Sequence, residues 1–213
     1  MPSRASRLTR FGLIRHAATE WNLAKRIQGR SDLSLCDQGR AEAQAWGRGL
    51  SRLPWDRLVT SPLVRAYETG RLMNVHLHLP CLRDARLGEQ SWGRWEGRSL
   101  VWIEDRLATL PPGDATRGWS FCPPGGESRN RVWRRSQAAL VDLSRRFPGE
   151  TLLVVVHGGV LKALLYRLYR RAFLPHEKRL LRHRRLHWIF GDGCRLRPGP
   201  VNAVNLERTG KTL

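Results

Sequence analysis

The stretch TLLVVVHGGVLKALL, residues 151–165, decides the fold. Its first six residues are apolar or β-branched with no polar alternation, the pattern of a strand covered on both faces. His157 ends the run. Gly158-Gly159 then turns the chain into a second apolar stretch, which predicts a helix over about 160–171. A buried strand, a glycine turn and a helix form the repeating unit of a parallel α/β sheet. A second apolar run ends in the same way: FGLIRHAATEWN, residues 11–22, stops at Arg15-His16.

Working outward, residues 11–14 read as a short buried strand. Residues 37–52 read as a helix with Asp37 as its N-cap. Residues 57–60 form a strand, and Pro62 suits the first turn of a helix reaching about Met73. Residues 80–97 read as irregular, and 99–108 as a short helix. PPGD and PPGG within 111–126 mark a loop, followed by a long amphipathic helix over about 127–147. Late strands are predicted at 186–190 and 201–206. The fold class is α/β: three α/β/α layers around a mostly parallel sheet. It is a single domain over 1–213, with the Pro/Gly-rich stretch 94–126 as a cap over one end of the sheet.

The chain has 213 residues and a formal net charge of +20, from 38 basic and 18 acidic residues. Only four of the basic residues are lysines. Arginine is the better bidentate partner of phosphate, but a surface charge run is usually just a solvated face. Cys36, Cys81, Cys122 and Cys194 form no C-x-x-C pair, which leaves free thiols and no zinc or redox motif. No apolar run nears the roughly 18 residues of a membrane span. The basic N-terminus has no secretory core after it, because Arg15 interrupts the apolar stretch. A cytoplasmic location is expected.

In an open α/β sheet, ligands bind outside the C-terminal ends of the strands. His16 and His157 both fall at that position. Arg15 stands beside them, and Gly158-Gly159 opens a helix N-terminus, which favours anions. Either histidine alone is more commonly a satisfied hydrogen-bonding residue. Two imidazoles, an arginine and a helix N-terminus together make a phosphate pocket.

These residues also carry a resemblance. LIRHAATEWN followed by QGRSDLSLCDQGRAEA resembles the opening of the histidine phosphatase superfamily, the phosphoglycerate-mutase-like fold. TSPLVRAYET (60–69), RLGEQSWGRWEG (86–97), PPGGES (123–128) and VVVHGGVLKALL (154–165) resemble its further blocks, in order. The match covers about residues 11–170. It departs at Ala17 and Ala18, where the family usually has glycine and often an acidic residue.

The resemblance implies phosphoryl transfer through a phosphohistidine on His16. It implies Glu89 as general acid and base, with Arg15, Arg65 and His157 on the non-bridging oxygens. Asn22, Gly29 and Gly158 would line the bound phosphate. No metal and no cofactor are called for. PPGGES and the short segment after the acid block resemble the phosphatase branch, including α-ribazole phosphatases, acting on a small phosphorylated substrate. A phosphoglycerate mutase, primed by 2,3-bisphosphoglycerate, is the alternative. A different class, a nucleic-acid or acidic-surface module, rests on residues 167–185, which hold eight Arg or Lys and one Glu. That segment has no recognised binding motif, so nucleic acid is not the expected partner. The same segment would equally recruit an acidic substrate or make a homodimer contact. Trp92, Trp95, Trp102 and Trp119 read as an apolar wall or as local packing.

Overall fold

The computed structural model describes residues 8–109, 118–174 and 177–207. The predicted PPGD loop, part of the predicted cap and two residues of the basic segment lie outside them.

Seven strands form the sheet: β1 (Thr9–Arg15), β2 (Arg57–Thr60), β3 (Cys81–Arg83), β4 (Thr151–Val156), β5 (Arg185–Gly191), β6 (Leu196–Pro198) and β7 (Val204–Asn205). The helices are α1 (Glu20–Leu23), α2 (Asp37–Leu50), α3 (Val64–Leu77), α4 (Leu100–Ala108), α5 (Arg129–Arg146) and α6 (Gly158–Leu168). The strand order is β3-β2-β4-β1-β5-β6, with β7 also paired to β5. β3, β2, β4 and β1 are parallel, whereas β5 runs antiparallel to β1 and begins an antiparallel edge.

All six residues of β4 are buried, and period-2 geometry divides them between two cores. Leu152, Val154 and Val156 face Leu140, Leu143, Val160 and Leu164 of α5 and α6. Leu153 and Val155 face Ala43, Trp46, Ala66 and Met73 of α2 and α3. β1 does the same with Phe11 and Leu13 on the first side and Ile14 on the second. Both faces of the sheet are therefore covered, and the continuous apolar run follows from that.

Several boundaries differ from expectation for identifiable reasons. Asp37 is the first residue of α2; Cys36 occupies the N-cap with no side-chain bond, and Asp37 instead adds charge to the first turn. Pro62 precedes α3 rather than entering it, since Leu63 is the cap residue. The predicted strand 201–206 shrinks to Val204–Asn205, while Leu196–Pro198 pairs with β5 unforeseen. α6 and residues 169–184 lead from β4 to β5, which pairs with β1 in the opposite direction. Among the described residues, no helix is long and apolar enough to cross a membrane.

Candidate active site

Three neighbouring strands end together. His16 follows the last residue of β1, His157 the last of β4, and Ser61 the last of β2. The ladders continue one step further: His16 N–H donates to Val156 O at 2.9 Å, and Ser61 N–H to Val155 O at 3.1 Å. Those bonds set the three side chains side by side at the C-terminal edge. The two imidazole centroids are 5.2 Å apart and tilted by 56°.

The tautomer of His16 follows from its partner. Nδ1 lies 2.7 Å from the carbonyl oxygen of Ala17. A carbonyl only accepts, so Nδ1 carries the proton and Nε2 keeps its lone pair. Burial, and then the charges of Arg15 and Arg65, push His16 well below the usual histidine range. His157 is fully buried, with Nε2 2.7 Å from Ser61 Oγ. Burial, His16 and the two arginines lower its pKa as well. Both rings are therefore neutral near pH 7.

Arg65 stands in the first turn of α3 and is fully buried. Its terminal nitrogens donate to Ser31 O at 2.9 Å and Gly29 O at 2.7 Å. Three buried polar atoms of this cluster have no protein partner: Arg15 Nε, Arg65 Nε and His157 Nδ1. Burial lowers the pKa of both arginines, while Glu89 pulls each back. Buried guanidinium nitrogens without a protein acceptor, Arg15 Nε and Arg65 Nε, suit an anion.

Glu89 lies against the start of α6. Oε1 accepts from Gln90 N at 2.8 Å and from Gly159 N at 3.0 Å, and Oε2 is 3.1 Å from Gly159 N. A Cβ at Gly159 would stand 2.4 Å from Oε1, whereas one at Gly158 would make ordinary contact with the Arg15 guanidinium at 3.6 Å. Gly159, not Gly158, is thus the position where the absence of a side chain matters. Gly29 has φ +53°, and a Cβ there would meet the Glu96 carboxylate. Its carbonyl serves Arg65. Asn22 Oδ1 accepts from Thr19 N and Thr19 Oγ1 in a capping box at α1, which leaves its amide nitrogen as the group able to meet a ligand.

Two supporting carboxylates escaped the sequence reading. Glu96 accepts from Arg30 N, Ser31 N and Ser31 Oγ, each at 3.0 Å, and from Trp92 N at 3.1 Å. It fastens the loop whose carbonyls hold Arg65. Glu127 is buried and paired in a fork with Arg135 at 2.8 and 3.0 Å. Arg135 also donates to Glu89 O at 3.1 Å and Arg86 O at 2.6 Å, which ties down the segment carrying Glu89. Ser128 is the N-cap of α5.

Ala17 has no left-handed backbone, so the alanine is unstrained. Its methyl group is buried in the core on the α2–α3 side. Ala18 N–H donates to Glu42 Oε2 at 3.2 Å. Trp95 and Phe121 form a small core with Ile103 of α4, and Trp92 packs on it. Trp102 meets Trp95 edge-on at 6.0 Å. Trp119 stands apart from them, edge-on to Phe173 at 4.8 Å, so the four tryptophans do not form one wall. Among the described residues, no group of three or more His, Cys, Asp or Glu side chains is arranged to hold a metal ion.

Residues 11–185 match the model of the family described as the histidine phosphatase superfamily (branch 1). The chain is 32% identical over 158 residues to a protein of Bacillus subtilis (strain 168) named "Uncharacterized phosphatase PhoE", covering 74% of this chain and 76% of that one. It is 36% identical over 160 residues to a 2,3-bisphosphoglycerate-dependent phosphoglycerate mutase of Methylobacterium radiotolerans, covering 72% and 76%. Among solved structures, Bacillus stearothermophilus YhfR superposes with a TM-score of 0.79 at 27% identity, covering 93% of this chain and 98% of that one.

Proposed function

The chain belongs to the histidine phosphatase superfamily (branch 1), and we propose that it is a metal-independent phosphatase that hydrolyses a small phosphate monoester through a phosphohistidine on His16. The observation that carries this is the bond from His16 Nδ1 to the Ala17 carbonyl. It leaves a buried, unprotonated Nε2 beside two arginines.

In the first step, Nε2 attacks phosphorus in line with the ester oxygen. The P–O bond breaks, and the leaving oxygen takes a proton from the Glu89 carboxyl. Arg15, Arg65 and His157 hold the three non-bridging oxygens, whose charge is what phosphoryl transfer most needs stabilised. Asn22 adds its amide N–H, and the start of α6 at Gly158 adds its positive end. In the second step, Glu89, now a carboxylate, takes a proton from water as that water attacks phosphorus. The P–N bond breaks, inorganic phosphate leaves, and both side chains return to their starting forms.

Hydrolysis is preferred over mutase chemistry because the segment between the acid block and α5 is short: it holds the nine-residue α4, part of the predicted cap over 94–126. A mutase remains the second reading, favoured by the mutase among the relatives. Two measurements separate them. Phosphate release from p-nitrophenyl phosphate in EDTA, present in the native chain and absent in His16→Ala, supports the phosphatase. Isomerisation of 3-phosphoglycerate that depends on 2,3-bisphosphoglycerate, with no phosphate release, would replace it. The α-ribazole branch is kept as one substrate to screen.

A further inference from the structure

Gln28 lies on the loop between α1 and α2, and only 6% of it is exposed. Its Nε2 donates to Thr19 Oγ1 at 2.8 Å. Its Oε1 is buried and has no protein partner among the described residues. An amide kept in the interior with its oxygen unpaired is costly, and an apolar side chain of the same length would avoid that cost. The bond to Thr19 is therefore what the amide contributes.

That bond sets the direction of a short chain of hydrogen bonds. Thr19 is fully buried and has one hydroxyl proton. Asn22 Oδ1 lies 3.1 Å from that hydroxyl and also accepts from the Thr19 backbone N–H at 3.2 Å. Asn22 Oδ1 can only accept and Gln28 Nε2 can only donate. The Thr19 hydroxyl therefore accepts from Gln28 and gives its proton to Asn22. Two donors on Oδ1 fix the plane of the Asn22 amide and leave Nδ2 for a ligand. Bonds in series also polarise one another, which strengthens the last N–H of the chain. The capping box of α1 does not need Gln28. Its reciprocal bonds, Asn22 N to Thr19 Oγ1 at 3.3 Å and Thr19 N to Asn22 Oδ1, join those two residues alone. Gly29, next in the chain, gives its carbonyl to Arg65 at 2.7 Å. Consecutive residues thus serve two donors of the phosphate site, one through a side chain and one through the backbone.

We propose that Gln28 is a positioning residue, which acts through the Thr19 hydroxyl to hold the Asn22 amide in place for the phosphate. This rests on the function proposed above, in which Asn22 meets that phosphate. The test is calorimetric binding of inorganic phosphate to the native chain, to Gln28→Met, to Asn22→Ala and to the double variant. Gln28→Met is expected to weaken binding about threefold, and Asn22→Ala about tenfold. In the Asn22→Ala background Gln28→Met is expected to add nothing, because the amide it positions is gone. Should the methionine variant not fold, Gln28→Leu enters the same cycle. Losses that multiply in the double variant would mean that Gln28 acts by another route, through the Gly29 backbone and Arg65, and would overturn the proposal. Native affinity in Gln28→Met would overturn it too. Binding is read apart from turnover, so the two readings fail separately. Coupled losses without phosphate release from p-nitrophenyl phosphate leave the Gln28 role standing and remove the hydrolase. Hydrolysis with multiplied losses does the reverse.

Discussion

The backbone N–H of Gly159 donates to both carboxylate oxygens of Glu89, at 3.0 and 3.1 Å. The first full turn of α6 thus orients the group proposed to handle the proton, while Gly158 beside it faces Arg15. One helix terminus meets the Glu89 carboxylate and the Arg15 guanidinium together.

Gly159→Ala places a methyl group 2.4 Å from Glu89 Oε1, and the flexible carboxylate must swing away. Stability should change little. Hydrolysis of an alkyl phosphate, which needs its leaving oxygen protonated, should fall by about 10²-fold. Release of p-nitrophenolate, a good leaving group, should fall far less. Equal losses on both esters would remove Glu89 from the proton-donor role.

Removing Arg135 leaves the buried Glu127 carboxylate with only the more exposed Arg30, 3.5 Å away, as a cationic partner among the described residues. Glu127 is 5% exposed and bonded in a fork to that guanidinium. Arg135→Met is expected to cost ~3 kcal/mol in urea unfolding, and the double variant with Glu127→Gln to recover part of that loss. Strict additivity of the two substitutions would show that the pair is not coupled.

Glu96 holds the Arg30–Ser31 backbone, which holds Arg65. Glu96→Ala should raise the KM for p-nitrophenyl phosphate about tenfold or more by loosening the Arg65 fork, with Glu96→Gln intermediate because its amide oxygen can still accept. An unchanged KM in a folded Glu96→Ala chain would disconnect this carboxylate from the site.

The buried histidines make stability depend on pH. His16, His157 and His187 all have folded pKa values below the free value of 6.5, His187 at about 4. Burial is the main cause at each. Below pH 6.5 the unfolded chain takes up protons that the folded chain refuses, so stability is full above about 6.5 and drains as pH falls. Each such histidine contributes a slope of ~1.4 kcal/mol per pH unit over its window. Unfolding free energies measured between pH 7.5 and 5 should drop accordingly. A flat profile would mean that these imidazoles accept protons in the fold.

Much of this was readable in the chain itself. TLLVVVHGG and FGLIRH announced two covered strands ending in histidines, and β4 and β1 indeed lie side by side with His16 and His157 within ring contact. What could not be read were contacts made at long range by residue types with common local uses. Glu127 stands just before α5, where an acidic residue has a common local use, and its fork with Arg135 is a contact eight residues away. Glu96 bonds to residues 30–31, some 65 positions earlier, which no local pattern announces. The antiparallel edge was not legible because strand direction is set by how residues 169–184 carry the chain from α6 back to β5, and local pattern does not encode that.

β4 sits between β1 and β2, yet follows β1 by some 140 residues, with Arg15 paired to Val156. During synthesis, both flanking strands leave the ribosome long before the strand that joins them. Until residue 156 emerges, the nascent chain holds two apolar strands with an unfilled gap, and the edges of both are open to intermolecular pairing. The sheet's centre, and with it the pairing of His16 and His157, can be assembled only late and in a single closing event. A chain shortened before β4 would carry the proposed nucleophile, His16, without the strand that sets it beside His157.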